Sequence, residues 1–262
     1  MESKQLKYLL NEIGGIVHSM NTIIVSLTLM DDTDIAVPDS LGISWKPSNL
    51  ALSKKRARNY ACKSAYVYVA ENLFNYLTEI SKDPLWAYKD INFGTNDNNE
   101  KKADRVASFL RRIGSISEEM IVLSMLLCHW RNRIVHGMSS NARLSKSQIE
   151  FLTKNNDEMY KSLHHFSPIR ALENFDNNKV TLKDVSTLST IVIKCCKVVD
   201  THYLNGISSM ESSIICQNLR LAHEDFKQIY TQPKSDKRKR QIQTWIDMYY
   251  PYLSTEQKDF LI

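Results

Sequence analysis

Apolar positions recur at helical spacing along most of this chain, and the breaks between periodic segments are few. Residues 3–31 read as a first helix, weakened at Gly14-Gly15, and residues 32–52, with two prolines and a glycine, as a connection. Ser53 is placed to cap a helix running to about Ser81. Its apolar positions Cys62, Tyr66, Val69, Leu73, Tyr76 and Ile80 step by four and three. Residues 82–100 break the pattern with a proline and an Asn-rich run and read as a mobile loop. A short helix follows over 100–112. A longer one starts near Ser115, with Glu118 placed for a capping box, and stops at Gly137. Residues 138–148 read as a polar loop and 147–166 as helix and loop, ahead of Pro168. Three further helices are predicted over Leu182–Tyr203, Ser208–Tyr230 and Asp236–Tyr249, with a short helical turn in residues 254–262. The expected fold class is therefore all-α. Residues 1–180 are expected to form one helical domain, with its core at about 53–166. Residues 181–262 are a C-terminal helical extension packed on it, since nothing near 168–180 resembles a long flexible linker.

The helix over 115–136 is apolar on two sides. Ile116, Met120, Leu123, Leu127, Trp130 and Ile134 form one stripe, and Ile121, Val122, Met125 and Leu126 a second. Such a helix is buried between its own core and another packing partner. Asn132 and His136 continue the second face, so an apolar surface ends in polar groups.

Composition narrows the partners and the chemistry. Seven glycines and six prolines in 262 residues are too few for a many-turned β fold. A net charge of +5 fits an anionic partner without requiring one. The five cysteines contain no CxxC pair and lie in apolar, helix-like surroundings, the usage of reduced, buried thiols in a cytoplasmic protein. No metal site or cofactor is expected: His164-His165 has no further ligand at suitable spacing, and no Gly-rich phosphate loop is present. The stretch from Ile13 to Met30 comes nearest to a membrane span, but His18, Asn21 and several Ser and Thr interrupt it. Neither a membrane segment nor a signal peptide is expected.

The chemistry concentrates in Arg131, Asn132, Arg133 and His136. An arginine offers a permanent charge and a fork of donors suited to phosphate. A histidine moves protons near neutral pH. Asn132 lies one turn from His136 and can orient it. Together these groups suffice to cleave RNA without a metal. On spacing alone the cluster reads more readily as a helix end, since cations there are favoured by the helix dipole.

The run "RNRIVHG" resembles the signature of the HEPN superfamily, an arginine and a histidine separated by four to six residues with a polar residue after the arginine. Arg131, Asn132 and His136 match it, near the end of a long apolar helix in an all-α chain. The resemblance covers the helical layout of roughly residues 53–166. It implies a HEPN-like helical bundle, a homodimer with two such motifs facing each other, and metal-independent endoribonuclease activity leaving a 2′,3′-cyclic phosphate or 3′-phosphate and a 5′-hydroxyl. Arg131 and His136 would be catalytic and Asn132 supporting. Relatives of this kind act as toxins or antiphage effectors, so an antitoxin or defence-system partner is a further expectation. The alternative is a non-catalytic helical module that binds nucleic acid or a protein. Two basic clusters could follow an RNA backbone: Lys54, Lys55, Arg56 and Arg58, and Lys237, Arg238, Lys239 and Arg240, with Arg133 beside the motif. Solvated helix ends are the plainer account of both runs. Trp245, Tyr249 and Tyr250 are expected to pack the last long helix rather than stack on bases.

Overall fold

Helical periodicity is carried into the backbone almost throughout. The computed structural model describes residues 1–30, 37–94, 100–137 and 143–262. These form helices α1 (Lys4–Leu29), α2 (Leu50–Lys82), α3 (Lys102–Ile113), α4 (Glu118–His136), α5 (Lys146–Lys154) and α6 (Asn156–Ser162). They continue as α7 (Pro168–Asp176), α8 (Leu182–Ser208), α9 (Ser212–Ala222), α10 (Glu224–Tyr230), α11 (Asp236–Tyr249) and α12 (Thr255–Leu261). No strand occurs among the described residues, and the fold class is all-α.

The chain divides into two compact units. One comprises Met1–Asn11, Asn72–Ile121 and Val192–Ile262; the other comprises Glu12–Glu71 and Val122–Ile191. In the first, Trp86 is fully buried and lies 6.0 Å from the Phe109 ring and 6.2 Å from the Tyr203 ring. Near the start of the chain, the Ser3 amide donates to Asp200 Oδ2 at 3.1 Å. In the second, Tyr66 stacks on Trp130 at 5.2 Å, and Phe175 meets Trp130 edge-on at 5.1 Å. All five cysteines are buried and none forms a disulfide, as their surroundings predict.

Several local expectations change. The α2 helix begins before Ser53, because the Asn49 side chain caps it by accepting from the Leu52 amide at 2.8 Å. The α4 helix begins at Glu118 rather than near Ser115, and Glu118 is ion-paired with Arg111 instead of closing a capping box. The predicted loop after α2 is anchored over residues 83–94: Trp86 Nε1 donates to the Tyr88 and Ile91 carbonyls at 2.7 and 2.8 Å, and Leu85, Ile91 and Phe93 are buried. Its Asn-rich part, 95–99, and most of the loop after Gly137 lie outside the described residues. The helix predicted over 208–230 breaks at His223, whose backbone is extended and whose ring lies 2.9 Å from the Tyr250 hydroxyl. By length and composition alone, α1 is long and apolar enough to cross a membrane.

The double-faced character of α4 holds. The packing partner of the second face is supplied within the chain: Ile121, Val122, Met125 and Leu126 are all at most 3% exposed. That face is therefore no ground for a dimer.

Candidate functional site

Helix α4 ends where the sequence places its stop. Gly137 adopts φ +75°, a conformation that L side chains rarely take, and releases the chain one residue after His136. The last two turns thus carry Arg131, Asn132 and His136 out of the buried part of the helix. Trp130 is fully buried, Arg131 and Asn132 are half-buried, and His136 is exposed.

The three motif side chains converge on one guanidinium. Arg131 Nη1 donates to Asn132 Oδ1 at 3.2 Å and lies 3.3 Å from His136 Nε2. An arginine nitrogen can only donate, so a hydrogen bond here makes His136 Nε2 the acceptor, which puts the imidazole proton on Nδ1. The opposite edge of the guanidinium is held from α2. Arg131 Nε donates to Glu71 Oε1 at 2.6 Å, and Nη2 lies 2.6 Å from the same oxygen. The Arg131 side chain is 16% exposed and Glu71 35%, which distinguishes this pair from an ordinary surface salt bridge.

Glu71 was not foreseen among the site residues. One sequence signal pointed to it: it is the lone charged residue between Lys63 and Glu79 in an otherwise apolar and neutral stretch of α2. The guanidinium is thereby fixed along one edge by a carboxylate, while its remaining nitrogen faces an amide oxygen and an imidazole.

The other basic residues separate into different roles. Arg133 turns away from the motif, donating from Nη1 to the Phe175 carbonyl at the end of α7 with its guanidinium 3.5 Å from the Phe175 ring centroid. Burial lowers its pKa below the usual arginine value. Lys54 donates to the Met30 carbonyl just past the end of α1. Lys55, Arg56 and Arg58 are exposed along α2 and line a cavity described below. Lys237, Lys239 and Arg240 are exposed on α11, in the first unit. Arg238 is buried, donating to the Tyr230 and Ile262 carbonyls with its guanidinium 4.8 Å from the Tyr230 ring centroid. Trp245 and Tyr250 are core residues, and Trp245 Nε1 donates to Asp225 Oδ2 at 2.7 Å.

No protein-family model matches the chain, and no curated protein or solved structure matches it significantly.

Proposed function

We propose that the protein is a metal-independent endoribonuclease of HEPN type, with Arg131 and His136 as catalytic residues and Asn132 and Glu71 as positioning residues. The observation that carries this reading is the convergence of Asn132 Oδ1 and His136 Nε2 on Arg131 Nη1, with the other edge of the guanidinium pinned by Glu71. In such a reaction the substrate opens the Arg131–His136 contact, and the freed His136 Nε2 accepts the proton of an RNA 2′-hydroxyl. The 2′-oxygen attacks the adjacent phosphorus, the bond to the 5′-oxygen breaks, that oxygen takes up a proton from water, and the imidazolium gives its proton to the hydroxide left behind. The products are a 2′,3′-cyclic phosphate and a 5′-hydroxyl. Arg131 Nη1 then serves the charge that accumulates on the phosphorane oxygens. Glu71 keeps the guanidinium in place while Nη1 exchanges its His136 contact for a phosphorane oxygen.

If a second protomer contributes, it does so at the exposed end of α4 around Val135 and His136, since the apolar face of the helix is occupied. The Glu71 pair also supports a second reading, a binding module in which Arg131 is a structural counter-charge. Substitution separates the two. With His136→Ala, cleavage of single-stranded RNA falls by about 10²–10⁴ while the melting temperature is unchanged. Wild-type cleavage continues in excess EDTA. A His136→Ala protein that cuts at the wild-type rate refutes the assignment.

A further inference from the structure

A second feature of the Glu12–Glu71/Val122–Ile191 unit has the character of a ligand site. Between the N-terminal part of α2 and the turn joining α7 to α8 lies a cavity of about 540 Å³. Four cationic side chains line it: Lys55, Arg56 and Arg58 from α2, and Lys179 from the turn. Among the described residues no carboxylate lines it and none is ion-paired with any of the four cations. Leu52 and Val180 supply apolar wall, and the buried Cys62 lies beneath. Like charges gathered around a concave surface attract an anion.

The backbone adds to this field. Thr181 and Leu182 bring the first turn of the 27-residue helix α8 to the cavity. The Thr181 hydroxyl caps the helix by accepting from the Asp184 amide at 3.2 Å, and the positive end of the helix dipole lies at the cavity wall. Asp184, the nearby acid, is buried, accepts from Asn174 Nδ2 at 2.9 Å and does not line the cavity. Position in the fold separates this cavity from the cleavage motif. Glu71 lies twelve positions beyond Asn59 on α2, roughly 18 Å along the axis and about 120° around it. One connection joins them: Arg133 of the motif helix holds the end of α7, from which the Asn178–Thr181 wall departs.

We propose that this cavity binds a nucleoside phosphate, its phosphate among Lys55, Arg56, Arg58 and Lys179 and its base against the Leu52–Val180 wall. A cationic rim over an apolar interior matches a ligand with one anionic and one flat apolar part, and the volume suits a single nucleotide. The nucleotide is either a free monophosphate or one unit of an RNA. Only the RNA source rests on the ribonuclease reading.

The test is equilibrium binding of AMP, UMP and a short oligouridylate to the full chain, at two salt concentrations. Three proteins are compared: wild type, Arg58→Glu/Lys179→Glu, and Asn59→Trp, which fills the cavity without changing its charge. The first two substituted positions are exposed, and circular dichroism verifies folding of each variant. Binding of a mononucleotide that weakens at least about tenfold in both variants establishes a free-nucleotide site. Binding of the oligouridylate alone, lost in both variants, establishes an RNA-anchoring site. Absence of binding by wild type overturns the proposal. So does loss in the charge variant with full retention in Asn59→Trp, which would mark a diffuse cationic surface. His136→Ala should bind as wild type does, so a failed cleavage assignment leaves this result interpretable.

Discussion

Replacing Glu71 with alanine tests whether the motif works as a positioned assembly or as separate residues. The carboxylate holds Arg131 by two contacts of 2.6 Å to one oxygen. Two unit charges about 4 Å apart at an effective dielectric of 20 attract by about 4 kcal/mol before any solvent discount. Glu71 is about a third exposed, and both side chains lose rotamer freedom in the pair. A net contribution on the order of 1–2 kcal/mol remains. If that free energy fixes Arg131 Nη1 for the phosphorane, Glu71→Ala lowers kcat by about 5–30-fold. Substrate KM moves far less, because the charge of Arg131 persists. Glu71→Gln keeps an acceptor of the same reach and should recover part of the loss. Glu71→Asp, one methylene shorter, should recover less. The assay is single-turnover cleavage of a labelled RNA, with thermal melts of each variant. Stability should fall by a few degrees at most. A Glu71→Ala protein with wild-type kcat refutes the positioning role. Equal losses in Glu71→Ala and Glu71→Gln would show that charge alone matters, not geometry.

Two further substitutions test the surrounding physics. The Tyr66 hydroxyl is fully buried with no hydrogen-bond partner, so Tyr66→Phe should keep the stack on Trp130 and stabilise the protein by roughly 1 kcal/mol, read as a rise of about 2 °C in Tm; a fall beyond 1 °C would mean that the hydroxyl is satisfied in solution. Asp184 has its pKa raised by burial, so above about pH 4 the folded chain binds more protons than the unfolded one at this group and its contribution to stability declines as pH rises. Asp184→Asn should remove that contribution, flattening the fall of Tm with rising pH over the same window, and an unchanged slope would place the titration elsewhere.

What the sequence disclosed depended on the range of the interaction. The periodic stripes of α2 and α4 are local, since neighbours three and four positions apart define a face, and their buried residues could be named directly. The end of α4 was equally legible, because Gly137 supplies the backbone freedom that a helix exit requires. The start was less so: Ser115 and Ser117 offer similar chemistry two positions apart, and Glu118 is drawn to Arg111 rather than back to a cap. Composition concealed the packing of residues 83–94, where a proline and polar neighbours surround Trp86.

Longer-range relations lay outside any local pattern. His223 interrupts an apolar helical run through its side-chain relation to Tyr250, 27 positions away. Glu71 and Arg131 are 60 positions apart, and a single sequence offers only indirect notice of their pairing, an isolated acid in apolar α2 and the first arginine after the apolar run of α4. That notice is nonetheless physical. A charge placed among apolar neighbours on a packed helix is costly unless a partner is supplied, so two such positions on different helices define a search for each other. The same consideration separates Arg131 from Arg133. Both belong to "RNR", but the first meets a carboxylate and faces the imidazole, whereas the second closes the end of α7. The motif therefore contains one arginine arranged for chemistry and one arranged for architecture, a division that adjacency in sequence could not disclose and that comparison of Arg131→Lys with Arg133→Lys would expose: the first should lower cleavage at nearly unchanged Tm, the second should lower Tm first.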